Sequence, residues 1–376
     1  MQPEKGQPNY DPLYKVRPVI NLVKDTYMNI YQPHQQISAD EIMKKFKGRL
    51  SFKQYIPNKP NKWGIKIWSL CDSVSGYNLR WNIYTGKDEA AGREMALGSK
   101  VVLSLLRGLD DSGHQIFMDN YFSSPDLYSV LKDKGIGACG TVRANRKGLP
   151  KNISKAQLPL KQGDRPAFFS CNQLTCTTWQ DTARVNCLSS MHGNGVVNKE
   201  VRSKKDPTGK RNVIKPALVN DYNQYMGGVD KFDQLSSYYC YPHKCQKWYQ
   251  VVFNFARETA LVNGFIAYKS THPGENIDQL KFRQKVVDSL IPEAVRERAQ
   301  AVANTVEERR AKRLQERHFP AEYADKKHRP ECAVCSHRPG HRHQTYHYCE
   351  QCELPMCAIG CFKRFHTLFS YKVKYN

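Results

Sequence analysis

The sequence predicts an α/β protein, with a mixed sheet, helices packed on it and a small Cys/His module at the C-terminal end. Three observations predict it. Strand-like and helix-like segments alternate from residue 63 onward. An apolar fraction of 40%, with 21 Tyr, 15 Phe and 5 Trp in 376 residues, can build a sizeable core. Six of the 13 cysteines crowd between Cys332 and Cys361.

Residues 1–62 read as an N-terminal helical and basic region, polar and helical to about residue 40. "WGIKIWSLCDS" (63–73) reads as a strand and "YNLRWNIYTGK" (77–87) as its partner, with "SVSG" as the turn. "AGREMALGSKVVLSLLRGL" is amphipathic and helical. "HQIFMDNYF" is a further strand. "SPDLYSVLKDKG" is a short helix, capped by Ser123 or Ser124 and stopped by Gly135. "ACGTVRANRKG" is a strand running into a basic loop. Residues 165–221 read as a β-rich insertion between the two parts of the core, 63–164 and 222–318. Helices follow at about 222–240 and 244–270, then a long charged helix over 278–318. A polar linker (319–331) leads to the Cys/His module (332–376).

The chain carries 58 Lys+Arg against 35 Asp+Glu, a net charge of +23. That favours a polyanionic partner, most often nucleic acid, although ribosomal, chromatin and membrane-surface proteins share the bias. Residues 44–66 hold eight basic residues and no acid, among them Lys44, Lys45, Lys47 and Arg49. Residues 143–165, with Arg143, Arg146 and Lys147, hold seven and one acid. Residues 199–215, with Lys204, Lys205, Lys210 and Arg211, hold seven and two acids. Phe46, Phe52, Tyr55 and Trp63 are interleaved in the first stretch. That pattern suits phosphate tracking with base stacking. No run of ~18 apolar residues predicts a membrane span, and the first residues lack the apolar core of a secretory signal. An intracellular protein is expected.

Asp72 ends the first core strand, Asp119 ends a later one, and Asp230 lies early in a helix with Asp233 one turn on. Converging carboxylates repel one another, and a hard divalent cation relieves the conflict. Two such ions would serve in-line attack on a phosphorus. Each acid also has a local reading: Asp72 as an Asx-turn before "SVSG", Asp119 as a cap of the helix starting near Pro125, although six residues is too long for a direct cap, and Asp230 as a helix cap after Gly227-Gly228.

The strings "IKIWSLCDSVSGY", "IFMDNYFSS", "GTVRANRKGLP" and "YNQYMGGVDKFDQ", with "FKGRLSFKQYIPNKPNKWGIK" and the terminal module, closely resemble the piggyBac transposase family from about residue 10 to the end. The resemblance implies an RNase H-like catalytic core with three Asp, an inserted β domain and a C-terminal zinc finger. It implies Mg²⁺-dependent (or Mn²⁺-dependent) DNA cleavage and strand transfer at TTAA sites through hairpin ends, a homodimer on double-stranded DNA, and a nuclear location. By position it puts the triad on Asp72, Asp119 and Asp230, with Asp233 as a further acid, and matches Trp248 to an aromatic near DNA ends. Two departures stand out. Family members carry an N-terminal segment ahead of the point where this chain begins, and "ADEIMKKFKGR" has Lys44 and Lys45 where the family continues with apolar residues.

Cys332-x2-Cys335, Cys349-x2-Cys352, Cys357-x3-Cys361 and His366 supply seven zinc ligands. His337, His341, His343 or His347 is expected to supply an eighth, which would serve two tetrahedral Zn²⁺ ions. The resemblance implies a two-zinc cross-brace that binds the transposon end, with Lys363 and Arg364 in a basic run fit for DNA. Three functions remain open on the sequence: a transposase, a DNA-binding protein without strand transfer, and an interaction adaptor working through the zinc module.

Overall fold

The structure, a computed structural model, describes residues 3, 7, 9–57, 59–86, 95–154, 156–202, 209–240, 245–291, 295, 304, 311, 313–315, 317–336, 342–368 and 370–371. They fall into two compact units, Met1–Arg283 and Gln284–Asn376. No helix among the described residues is long and apolar enough to cross a membrane.

In the first unit one sheet carries the fold. Its central strand, β1 (Gln36–Lys45), lies in the region where the sequence predicts a helical and basic segment. Ile37, Ala39, Ile42 and Met43 of β1 are buried, but Asp40, Glu41, Lys44 and Lys45 dilute the alternation that marks a strand. β1 runs antiparallel to β3 (Trp63–Asp72) and parallel to β5 (Gln115–Met118). The outer edge of β3 takes β2 (Gln54–Tyr55) and β4 (Asn78–Ile83). On the other side β5 pairs in parallel with β6 (Gly137–Thr141).

The expected β-rich insertion is only partly one. β7 (Ala167–Cys171), β8 (Leu174–Gln180) and β9 (Arg184–Ser189) extend the same sheet, because β9 pairs antiparallel with β6 from Cys139↔Ser189 to Thr141↔Cys187. Leu174 to Trp179 are all buried, so this segment serves as core. Only the hairpin of β10 (Val196–Arg202) and β11 (Lys210–Pro216) forms a separate two-stranded sheet.

Helices cover both faces. α1 (Arg17–Ile30) is tied to α6 (Trp248–Thr271) by the Tyr27 hydroxyl donating to Ala256 O at 3.1 Å. The Tyr77 hydroxyl donates to Tyr27 O, and its ring stacks on Tyr31 at 4.1 Å. α2 (Leu97–Leu105) and α3 (Pro125–Asp133) flank β5; Ser124 caps α3 by accepting from Leu127 N–H, and Gly135 at φ 65° ends it. The single helix expected over 222–240 is two, α4 (Ala217–Tyr225) and α5 (Gly228–Tyr238), and α6 follows. α7 (Gln279–Leu290) opens the charged segment.

Gly228 explains the break. A Cβ there would lie 2.5 Å from Ser38 Oγ and 2.9 Å from Asp72 O. The start of α5 therefore rests directly on the ends of β1 and β3, a contact only glycine permits. Gly228→Ala is expected to cost about 1–3 kcal/mol through overpacking, read as a lowered denaturant midpoint with an unchanged slope.

Candidate active site and metal centres

Strand register decides which acids meet. β1 pairs with β5 from Gln36↔Gln115 to Ala39↔Met118, so the next residues along the two strands are Asp40 and Asp119. Asp72 pairs with Ile37, three residues back along β1 and therefore about 10 Å away at the strand rise. The expected convergence of Asp72 with Asp119 does not occur, and Asp40 stands in its place.

The chemistry of the two sites agrees with the register. Asp72 is fully buried and saturated. Its Oδ1 accepts from Val74 N–H at 2.8 Å and Ser75 N–H at 2.7 Å, and its Oδ2 accepts from His34 N–H at 2.6 Å, with His34 Nδ1 at 2.8 Å. Burial alone raises its pKa, but these bonds from Ser75 and His34 together bring it below the usual carboxylate value. Asp72 is the Asx-turn residue between β3 and β4.

Asp40 and Asp119 are different. Burial first, then the Glu41 and Asp119 charges, push the Asp40 pKa up to about 7. Burial first, and among its neighbours the Glu41 charge, raises that of Asp119 against the opposing hydrogen bond from Tyr121 N–H to Oδ1 at 2.9 Å. Two acids held in this way favour a bound cation.

The turn that carries Asp119 is clamped. Arg146 Nη2 donates to Asn120 O and Tyr121 O, both at 2.8 Å, and Arg143 Nε donates to Asn120 Oδ1 at 3.0 Å. Asp230, in the first turn of α5, lines a cleft with Glu41 and Lys59, bordering the stretch of β1 that carries Asp40. Asp233 lines it too, but it is paired with Lys44 Nζ at 2.7 Å. Asp40 had one sequence signal, an acid pair flanked by Ile37, Ala39, Ile42 and Met43, obscured by the lysines that follow.

In the second unit, Cys332, Cys335, Cys357 and Cys361 form one cluster; His318, Cys349, Cys352 and His366 form another, with ligand atoms within 4.8 Å of one another in each. Tetrahedral Zn²⁺ with bonds of about 2.3 Å to sulfur and 2.0–2.1 Å to nitrogen sets its ligands roughly 3.6–3.8 Å apart. Cys335 Sγ and Cys357 Sγ are 3.8 Å apart, Cys352 Sγ and His366 Nε2 3.6 Å, and Cys349 Sγ and His318 Nδ1 3.4 Å. The donors fit the ion. His366 donates from Nδ1 to Phe362 O, which leaves Nε2 for a metal, and burial holds its pKa below the ordinary value.

The residue that completes the second cluster is His318, not one of the four histidines expected. His337 and His341 lie outside the described residues. His343 Nδ1 sits 3.3 Å from Cys357 Sγ outside the four-cysteine set, and His347 pairs with Glu322. The expected linker belongs to the module: β12 (Pro320–Glu322) pairs with β13 (His347–Cys349), which pairs with β14 (Leu354–Pro355). Upstream of it, Arg313 Nη1 donates to Phe365 O and Leu368 O at the end of a short helix over Cys361–Thr367.

A family model described as Transposase IS4 matches residues 1–265. PiggyBac transposable element-derived protein 3 of Homo sapiens is 27% identical over 379 residues, covering 96% of this chain and 60% of that protein. PiggyBac transposable element-derived protein 2 of Homo sapiens is 28% identical over 288 residues, 73% of this chain and 48% of that protein. A cryo-EM structure of a piggyBac transposase synaptic complex with hairpin DNA matches at TM-score 0.68 and 26% identity, covering 92% of this chain and 72% of that one. The chain belongs to the piggyBac transposase family. It spans 60% or less of these two curated relatives' length.

Several basic residues expected at DNA in this piggyBac-family chain also make contacts within the fold. Lys44 pairs with Asp233, and Arg143 and Arg146 clamp the Asp119 turn. Arg364 Nε donates to Tyr371 O, Lys210 pairs with Glu200, and Arg211 lies 3.7 Å from Asp181. Lys45, Lys47, Arg49, Lys147 and Lys363 are exposed. Lys204 and Lys205 lie outside the described residues. Phe46 and Phe52 are buried, and Trp248 packs edge-on to Phe52 at 5.4 Å. Tyr55 and Trp63 are half exposed, 4.7 Å apart.

Asp72→Ala is expected to cost about 3 kcal/mol or more, because it strands buried N–H donors. Asp40→Asn leaves metal-free stability unchanged or raises it, because a buried charge disappears. Denaturant unfolding in EDTA checks both. His318→Ala is expected to lower bound zinc from two ions per chain toward one, measured by elemental analysis of the purified protein.

Proposed function

We propose that this chain cleaves and joins DNA strands by metal-dependent phosphoryl transfer, as a piggyBac-type transposase. The observation that carries the reading is the adjacency of Asp40 and Asp119 on neighbouring strands, both with raised pKa. The strand order β4-β3-β1-β5-β6, with β1 antiparallel to β3 and parallel to β5, supports an RNase H-like core. Asp40 and Asp119, with Asp230 in the cleft that Glu41 also lines, offer the hard oxygen donors that Mg²⁺ or Mn²⁺ prefers. When bound, such ions lower the pKa of an attacking water or 3′-hydroxyl and stabilise the leaving oxygen. The chain itself holds the carboxylates rigid through Gly228, Arg143 and Arg146. In hydrolysis the water oxygen bonds to phosphorus as the P–O3′ bond breaks, leaving a 3′-hydroxyl and a 5′-phosphate.

The net charge of +23 supports double-stranded DNA as partner. TTAA target sites, hairpin ends, a homodimer on DNA and a nuclear location complete the reading by family. Zn²⁺ at the two clusters would fold the C-terminal module, with exposed Lys363 free for a phosphate.

One observation favours a second reading, DNA binding without strand transfer. Lys44, at a departure from the family pattern, ion-pairs with Asp233 and occupies an acid that the resemblance counts among the working ones.

The test is cleavage of labelled duplex DNA flanked by TTAA in Mg²⁺ or Mn²⁺. Wild type is expected to cleave. Asp40→Ala and Asp119→Ala lose about 100-fold or more, and Asp72→Asn keeps cleavage wherever it stays folded. Salt-sensitive binding with no cleavage by wild type supports the second reading.

A further inference from the structure

Three lysines surround the acids, and two of them are engaged by protein oxygens. Lys44 is paired with Asp233, and Lys59 Nζ donates to Glu41 O at 3.2 Å and lies 3.8 Å from Glu41 Oε1. Lys66 is held in another way. It lies on β3 opposite Met43, two residues before Trp68, which lies opposite Glu41. Its Nζ sits 3.8 Å from the Trp68 ring centroid and 5.0 Å from that of Tyr121, two rings stacked at 5.4 Å and 23°. Tyr121 is the residue whose N–H holds Asp119 Oδ1, so the aromatic clamp and the acid share one turn. Burial lowers the Lys66 pKa from its ordinary value; the Glu41, Asp119 and Asp40 charges oppose that and favour the protonated form, and Lys59 adds to the lowering.

Among the described residues no hydrogen bond or ion pair within 4 Å fixes the Lys66 ammonium. A π-face attracts a cation but accepts none of its N–H donors in the way an oxygen does. A half-buried ammonium with unused donors, held over the ring of Tyr121 two residues from Asp119, matches an anion that arrives from outside.

We propose that Lys66 is a phosphate-binding residue of the candidate active site, its ammonium donating to a non-bridging oxygen of the DNA phosphate at the Asp40–Asp119 pair. The inference rests on the DNA-cleaving reading above. The competing role is charge balance: Lys66 would only offset Asp40, Glu41 and Asp119.

The two roles separate in a binding experiment that needs no turnover. The full chain in Ca²⁺ would be titrated with a TTAA-flanked duplex and with a set of the same duplex, each carrying one uncharged methylphosphonate in place of a phosphate. At one position the neutral linkage is expected to weaken wild-type binding about tenfold and Lys66→Met binding less than about twofold, with Lys66→Arg restoring much of the wild-type sensitivity. Equal losses for wild type and Lys66→Met at every position overturn the proposal. Tighter Mn²⁺ binding by Lys66→Met without any such coupling also overturns it, in favour of charge balance. Lys66→Arg, which keeps the charge and the aromatic contact, covers the case in which Lys66→Met fails to fold. If wild type binds no DNA, the DNA-cleaving reading itself fails. If it binds without coupling to Lys66, the Lys66 role alone fails.

Discussion

The structure depends on one parallel pairing, β1 against β5. It puts Asp40 and Asp119 next to each other at the point where β5 stops, in a half-buried setting that makes two negative charges costly. Everything close by limits how that conflict can be relieved. Gly228 lets α5 rest on β1 and the end of β3, and the first turn of α5 puts Asp230 in the cleft with Glu41 and Lys59. Arg143 and Arg146 hold the Asp119 turn by its backbone and by Asn120, and Tyr121 N–H holds the carboxylate by Oδ1. A site built to keep acids together against their repulsion is arranged for a cation.

The positive charge of the chain is therefore two populations. Arg143, Arg146, Arg313, Arg364 and Lys44 are engaged with carbonyl oxygens or carboxylates and act as structural fasteners. Lys45, Lys47, Arg49, Lys147 and Lys363 project to solvent and remain available to phosphates. Sequence counts cannot separate these groups, because a guanidinium that clamps a turn and one that tracks a DNA backbone are the same residue type in the same kind of basic run. Only the position of the acceptor distinguishes them.

The same limit explains which parts of the site were legible. β3, β4, β5 and β6 followed from apolar runs bounded by turns, and the cap at Ser124 and the stop at Gly135 followed from local chemistry that needs no partner. β1 escaped because its polar residues serve other elements: Lys44 serves α5, and Asp40 serves the site. A strand whose outward positions are functional loses its period. His318 escaped for a related reason. It lies 14 residues before Cys332, at the end of the stretch that reads as a long charged helix, and only the β12–β13 pairing carries it back to Cys349.

Hydrogen-bond saturation separates a structural acid from a chemical one. Asp72 and Asp119 each end an apolar strand and precede a turn, so their sequence settings are nearly interchangeable. Asp72 receives three backbone N–H groups and faces an imidazole, which consumes its lone pairs and favours its ionised form without any ion. Asp119 accepts the Tyr121 N–H on Oδ1, and burial still raises its pKa against the backbone hydrogen bonds from Tyr121 and Phe122. The Asp72 carboxylate is the acceptor for the Val74 and Ser75 N–H groups of its turn, whereas the turn at Asp119 is also held by Arg146 and by Phe122 and Ser123 N–H bonds to its carbonyl. A carboxylate that its own fold does not need, kept buried beside another, has its reason outside the fold.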